Sequence, residues 1–238
     1  RPMSDDEIRR FVERRGLAPS GVPVARAALA VIVHPSNPLR SIDLNTLDRI
    51  FSANSRCTLD LPITHWQQLA QLNLPSDTIA QDGVWPSGGI AIYGRTATSG
   101  SYGFFKEVAL CNGDYHRRMI ELEGFAAMVD AISTETSGMA YSATKWIDTR
   151  VKILPIRLPE SGTASHTLAV SDRGYPFTRS LFLYWVDDPS SPPKKVLCEF
   201  LRFSQSEQAQ AIVAAQGLIP LSDSKLSDAN PRGSCARG

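Results

Sequence analysis

Residues 90–110, IAIYGRTATSGSYGFFKEVAL, decide the fold that this sequence predicts. The apolar residues 90–93 predict a strand, the polar and glycine-containing residues 94–103 a loop, and residues 104–110 the beginning of a helix. A strand that leads through a short polar loop into a helix is the repeating unit of α/β proteins. The segment therefore predicts an α/β fold.

The loop carries the residue types of an anion-binding site. Backbone N–H groups at a helix N-terminus converge on one spot, and the helix dipole adds about half a positive charge there. Gly100 permits close approach of the backbone, Ser99 and Ser101 add hydroxyl donors, and Arg95 supplies a planar fork for two oxygens of a tetrahedral oxyanion. The alternative is that Thr98 or Ser99 only caps the helix and Arg95 is a solvated charge.

Strands and helices alternate along the rest of the chain. Residues 22–34 predict a strand, and the uninterrupted apolar run 27–33 within it is typical of a parallel strand buried on both faces. Residues 158–174 are polar and predict a loop. We therefore expect largely parallel sheets.

Composition excludes several classes of function. The 238 residues include 25 Lys and Arg against 24 Asp and Glu, a net charge of +1, so no basic field is present for a nucleic acid or an anionic membrane. The apolar run 27–33 is far shorter than the roughly 20 residues of a membrane-spanning helix. The length suffices for one large domain or two small lobes.

The cysteines and histidines predict neither a metal site nor a cofactor. The four cysteines contain no CxxC pair, and the four histidines lie far apart. The even cysteine number permits disulfides, and the pairing we predict is Cys57 with Cys111 and Cys198 with Cys235. Buried free thiols are the alternative.

The loop resembles a family signature. Arg95-x-x-x-Ser99-Gly100-Ser101 followed by Phe105 is similar to the R-x-x-x-S-G-(S/T)-x-x-x-F signature of the periplasmic phosphate-binding (PstS-like) proteins of ABC importers. Other segments resemble the family's sequence in the same order along the chain: residues 1–7, 22–24, 30–38, 47–52 with Trp66, 137–141 and 175–179.

The resemblance implies a type II periplasmic-binding-protein fold, in which two α/β lobes joined by a hinge close on a ligand. Lobe I would comprise residues 1–24 and 178–238, incomplete at its N-terminus because the family's opening strand and loop are missing before Arg1. Lobe II, residues 25–177, would carry the anion loop. The implied phosphate ligands are Arg95, Ser99, Gly100 and Ser101, with Tyr102 and Thr98 as weaker candidates.

The resemblance further implies a monomeric, periplasmic or membrane-tethered protein that delivers inorganic phosphate to an inner-membrane ABC permease. Two family carboxylates are missing: Ala97 stands where an Asp pairs with the motif arginine, and Arg1 where an Asp accepts the proton of hydrogen phosphate. Such an acceptor selects HPO₄²⁻ over SO₄²⁻, because a fully deprotonated ion would place two acceptors face to face.

Two alternatives remain open from the sequence. The protein could bind another oxyanion such as sulfate, or it could be a ligand-free interaction or sensory module on the same fold. An enzyme would need Ser99 or Ser101 as a nucleophile, but the order Thr98-Ser99-Gly100 is not a G-x-S-x-G elbow. We therefore do not expect an enzyme.

Overall fold

A computed structural model of the chain describes residues 2–72, 74–80, 82–159, 165–186, 188, 190 and 195–221. The chain divides into two compact units. The terminal unit comprises Arg1–Ala28 and Arg179–Gly238, and the central unit comprises Leu29–Thr178.

Strands and helices alternate in the described residues, so the predicted α/β class is confirmed. The strands are β1 (Pro19–Val33), β2 (Ile42–Asp43), β3 (Ala91–Arg95), β4 (Ile120–Leu122), β5 (Gly138–Ala143), β6 (Lys152–Leu154), β7 (Ile156–Pro159), β8 (Ser165–Leu168) and β9 (Thr178–Val186). The α-helices are α1 (Asp5–Arg15), α2 (Leu44–Phe51), α3 (Trp66–Ala70), α4 (Gly100–Leu110), α5 (Phe125–Thr134), α6 (Lys195–Ser204) and α7 (Glu207–Ala215). Short 3₁₀ helices occupy Ser76–Thr78 and Thr144–Trp146.

The main sheet of the central unit has the strand order β4-β3-β5-β1-β6. Strands β4, β3 and β5 are mutually parallel, whereas β1 runs antiparallel to both β5 and β6. A second sheet, β2-β7-β8, is also mixed, since β2 is parallel and β8 antiparallel to β7. The prediction of largely parallel sheets, with a parallel strand at residues 22–34, is therefore wrong.

The apolar run in β1 has another physical cause. Val31 and Val33 pack into the larger core cluster of the central unit, while Ile32 between them packs into a smaller cluster with Met128 and Ile132 of α5. Successive side chains of a strand point to opposite faces of the sheet, so a strand covered on both faces is apolar throughout. The run thus indicates burial on both faces and carries no information about strand direction.

Two local boundaries also differ from the prediction. Helix α4 begins at Gly100, four residues before the predicted start, because the Ser99 side chain caps it. Residues 158–174, predicted as a loop, include the end of β7 and all of β8. Strand β8 pairs antiparallel with β7, with Leu158 opposite His166, so the pairing partner and not the polar sequence decides the structure there.

Aromatic packing and a disulfide hold α4 in the central unit. The ring of Phe105 is fully buried and stacks on Tyr141 at a centroid distance of 4.2 Å and on Phe177 at 5.2 Å. The predicted disulfide Cys57–Cys111 is present and joins the segment after α2 to the C-cap of α4. The other predicted pair involves Cys235, which lies outside the described residues, and stays a prediction.

The terminal unit has its own core. Strand β9 pairs with β1, and Val22 packs with Cys198 and Leu201 of α6. The order Ser4-Asp5-Asp6-Glu7 predicts a capping box at the start of α1, and the box is present: the Ser4 side chain accepts the Glu7 N–H, and the Glu7 side chain accepts the Ser4 N–H. Among the described residues, no helix is long and apolar enough to cross a membrane.

Candidate anion-binding site

The candidate site lies at the carboxyl ends of three parallel strands. Arg95 is the last residue of β3 and pairs with Leu122, the last residue of β4, while Tyr93 pairs with Ala140 of β5. In α/β sheets, ligands bind beyond the carboxyl ends of the strands, where the loops into the following helices converge. The six predicted site residues, Arg95 and those from Thr98 to Tyr102, lie in this segment between β3 and the first turn of α4.

Hydrogen bonds within the loop turn it into a helix N-terminus. The Ser99 N–H donates to the Thr96 carbonyl at 2.9 Å, and the Ser99 carbonyl accepts the Tyr102 N–H at 3.0 Å. The Ser99 hydroxyl oxygen accepts the Ser101 N–H at 3.2 Å and serves as the N-cap. Gly100 is exposed, whereas Ser101 is buried. The helix dipole therefore ends at an exposed backbone position, which suits an anion.

The Arg95 side chain lies against an aromatic ring. Its guanidinium carbon is 4.7 Å from the centroid of the Phe125 ring, at the first residue of α5. Its Nε is buried and has no hydrogen-bond partner. In the described part of the chain, no carboxylate forms an ion pair with Arg95. The Phe125 ring thus contacts the Arg95 guanidinium without neutralising its charge, and the charge remains available to a bound anion.

The residue two positions after Arg95 carries no charge. Ala97 is exposed, and a side chain without charge at that position offers Arg95 no counter-ion. Phe125 instead contacts the guanidinium of Arg95 through a cation–π interaction. The sequence alone does not predict this contact, because there Phe125 is only an apolar residue at the start of a helix.

Two buried tyrosines hold the loop at both ends. The Tyr141 hydroxyl oxygen accepts the Arg95 backbone N–H at 3.0 Å. The Tyr115 hydroxyl donates to the Tyr102 carbonyl at 2.9 Å, and the Tyr115 and Tyr141 hydroxyls lie 3.4 Å apart. Because the Tyr115 hydroxyl already donates its proton to the Tyr102 carbonyl, the Tyr141 hydroxyl is the donor in the hydrogen bond between the two phenols. The chain of bonds runs from the end of β3 to the first turn of α4.

Burial keeps these phenols neutral. It raises the pKa of Tyr115 and of Tyr141 above the ordinary tyrosine value, since removal from water disfavours the phenolate. A neutral phenol both donates and accepts a hydrogen bond, as this network requires. The sequence did not indicate that either tyrosine belongs to the site. Its pattern indicated only that Tyr141 lies in a strand, and it indicated nothing about Tyr115.

The described residues contain no cluster of three or more His, Cys, Asp or Glu side chains that could hold a metal ion. The candidate site offers a guanidinium, backbone N–H groups and serine hydroxyls, all of which can donate hydrogen bonds to an anion.

Comparison with known proteins defines the family. The PBP superfamily domain is matched by residues 1–208, and the chain belongs to this superfamily. It is 31% identical over 223 residues to the phosphate-binding protein PstS of Pseudomonas aeruginosa, which confirms the predicted resemblance. The aligned region covers 93% of this chain and 66% of that relative, so the chain spans slightly less than two thirds of the relative's length.

Solved structures show the same fold. An ABC-type phosphate transport receptor from Vibrio cholerae superposes with a TM-score of 0.66 at 17% identity, covering 93% of this chain and 78% of that one. PstS from Borrelia burgdorferi superposes with a TM-score of 0.58 at 19% identity, covering 93% and 77%. The predicted periplasmic-binding-protein fold is thereby confirmed.

Proposed function

We propose that this protein binds inorganic phosphate at the loop between β3 and α4 and delivers it to an ABC importer. The observation that carries the proposal is the uncompensated guanidinium of Arg95 beside the N-terminus of α4. The name of the Pseudomonas relative, phosphate-binding protein, supports phosphate as the anion. The ligands in this proposal are Arg95, Ser99, Gly100 and Ser101, with Tyr102 and Thr98 beside them.

Each group has a distinct role in binding. Arg95 contributes charge and two parallel N–H donors, which match two oxygens of a tetrahedral anion. The N-terminus of α4 contributes its dipole and the Gly100 N–H group, and the hydroxyls of Ser99 and Ser101 add two further donors. Charge-assisted hydrogen bonds of this kind contribute about 1.5–3 kcal/mol each. The predicted lobes, residues 1–24 with 178–238 and residues 25–177, would close on the bound ion and exclude water.

We infer recognition without catalysis. The Ser99 hydroxyl oxygen is occupied as the N-cap of α4, and none of the four histidines hydrogen-bonds it in the described residues. A serine without a general base is a weak nucleophile. The proposal places the protein outside the cytoplasm as a monomer, where it meets the permease.

Isothermal titration of the ligand-free protein with phosphate and with sulfate tests the proposal. We expect phosphate to bind with a Kd in the micromolar range or below. This Kd corresponds to a binding free energy of about −8 kcal/mol or a more negative value. The Arg95→Ala variant should bind phosphate about 100-fold more weakly, because it loses a bidentate charged contact. The Arg95→Lys variant should lie between the two, since lysine keeps the charge but not the fork.

Arg150→Ala is the matched control. Arg150 is an exposed arginine of the same unit, and it pairs with Asp130 and Asp148. Its replacement by alanine lowers the net charge by the same amount as Arg95→Ala. It should leave phosphate binding unchanged. A wild-type chain that binds neither anion, or Arg95→Ala and Arg150→Ala variants that bind alike, would contradict the proposal. Equal affinity for sulfate and phosphate would show a general oxyanion binder instead.

A further inference from the structure

The second sheet of the central unit borders a cavity that the anion loop does not reach. The cavity has a volume of about 400 Å³. It lies where the first residues of α2 meet the last residues of β7, and its lining residues are Asp43, Leu44, Asn45, Pro75, Arg157, Leu158 and Pro159. This volume lies within the range of sites that take small organic ligands, about 300–1,000 Å³.

Arg157, on β7, is the unusual member of this lining. It is only 6% exposed. Its Nη2 donates to the hydroxyls of Thr78 and Ser41, which carry no charge, and its Nε is buried without a partner. The one carboxylate that pairs with it among the described residues is Asp77, 3.9 Å from Nη1, with a side chain that is 73% exposed.

This environment leaves a buried cation poorly compensated. Burying a charge is costly unless it is paired and hydrogen-bonded, and an exposed partner at such a distance contributes little. Two nitrogens of the guanidinium lack a close acceptor: Nε has no hydrogen-bond partner, and the contact of Nη1 with Asp77 is longer than a hydrogen bond. An anionic group inside the cavity would supply the acceptor and the charge.

The other charged residue of the lining does not fill that role. Asp43 is the register partner of Arg157 in the parallel pair β2–β7, yet the two form no ion pair. Its carboxylate oxygens accept the Thr46 N–H at 2.8 Å and the Thr46 hydroxyl at 2.9 Å. Asp43 therefore caps α2, and its charge is offset by the N-terminus of that helix.

We propose that the cavity binds a small organic anion, a carboxylate on a compact apolar body. The carboxylate pairs with Arg157, and the apolar body lies against the side chains of Leu44, Leu158 and Pro75. Inorganic anions do not fit this description, because they have no apolar body to lie against Leu44, Leu158 and Pro75. The site is separate from the proposed phosphate site and does not depend on that proposal.

The probe for the test is 4-methylpentanoate, titrated into the full chain by isothermal calorimetry. 4-Methylpentanamide is its neutral match, and acetate has the charge without the apolar body. We expect a Kd for 4-methylpentanoate at or below about 1 mM, and binding at least tenfold weaker for both comparison compounds. Saturating phosphate should not displace the probe.

Two variants locate the binding. Arg157→Gln removes the charge and should weaken 4-methylpentanoate binding at least tenfold. Asn45→Trp places a large side chain at an exposed position of the lining, leaves Arg157 intact, and should weaken binding to a similar extent by filling the space. Both variants should retain the far-ultraviolet circular dichroism spectrum of the wild type, which shows that each is folded.

Four results would overturn the inference. They are no binding of 4-methylpentanoate, equal binding of its amide, displacement by phosphate, and unchanged binding in Asn45→Trp. The last result decides the question even if Arg157→Gln fails to fold.

Discussion

The hydroxyl oxygen of Tyr141 accepts a hydrogen bond from the backbone N–H of Arg95 at 3.0 Å, across 46 positions of sequence. This bond ties the interior of β5 to the residue at which β3 ends and the anion loop begins. Through the Tyr115 hydroxyl, the same network reaches the carbonyl of Tyr102 in the first turn of α4. The geometry of the loop thus depends on the hydroxyl groups of two tyrosines that lie outside it in the sequence.

Removal of the Tyr141 hydroxyl should weaken phosphate binding while the ring packing survives. In Tyr141→Phe the Arg95 N–H loses a buried acceptor, which costs about 1–3 kcal/mol of stability. We expect phosphate affinity to fall about three- to tenfold, measured by calorimetric titration. Tyr93→Phe is the control, because Tyr93 lies on β3 and its hydroxyl forms no hydrogen bond in the described structure. Equal affinities for the two variants would show that the network does not position the loop.

Coupling between the two phenols is a separate prediction. If Tyr115 and Tyr141 act as one network, the double variant Tyr115→Phe/Tyr141→Phe should lose less affinity than the two single variants together. The measurement is a double-mutant cycle on the Kd for phosphate. Additive losses would show that each phenol acts alone.

The ring of Phe125 should contribute to the position of Arg95. Phe125→Leu keeps an apolar side chain in the core but removes the π face beneath the guanidinium. A cation–π contact at a partly exposed site contributes about 0.5–1 kcal/mol, so phosphate affinity should fall about two- to fivefold. Phe125→Tyr retains an aromatic face and should bind nearly as wild type. Tighter binding by Phe125→Leu would mean that the ring competes with the anion.

The disulfide should stabilise the central unit strongly. It links Cys57 and Cys111, which are 54 positions apart, and a loop of that length corresponds to about 4 kcal/mol of lost entropy in the unfolded chain. We expect the double variant Cys57→Ala/Cys111→Ala to unfold at lower denaturant concentration with a loss of about 2–4 kcal/mol. Reduction of the wild type should lower the denaturant midpoint at least as far, because it also breaks the disulfide of Cys198. An unchanged midpoint in the double variant would contradict the prediction.

Alkaline pH should unfold the protein through its buried phenols. Burial raises the pKa of Tyr115, Tyr141 and Tyr175 above the ordinary value of about 10. The unfolded chain releases these protons first, so the stability they contribute is complete below about pH 10 and is lost as pH rises beyond it. Of the six tyrosines, these three should ionise only together with unfolding, which the ultraviolet absorbance of tyrosinate reports. Ionisation of all six before the loss of circular dichroism would refute this.

Local sequence signals were sufficient for part of the fold. The strand–loop–helix of residues 90–110, the capping box at Ser4 and Glu7, and the Cys57–Cys111 pair are all present. The first two depend on neighbours within a few positions, which a sequence pattern can represent. The direction of β1 relative to its neighbours depends on its partners β5 and β6, which lie more than a hundred positions away. The apolar run of β1 held no information about that direction.

By itself, the sequence determined an α/β chain with an arginine, serines and a glycine gathered at one helix N-terminus, because those residues are neighbours along the backbone. Only the tertiary structure decided what surrounds them. It placed the ring of Phe125 beneath Arg95, set the phenols of Tyr115 and Tyr141 behind the loop, and buried Arg157 beside a cavity. These contacts join residues that are distant in sequence, and their hydrogen bonds and charges acquire their strength from burial, which exists only once the chain has folded.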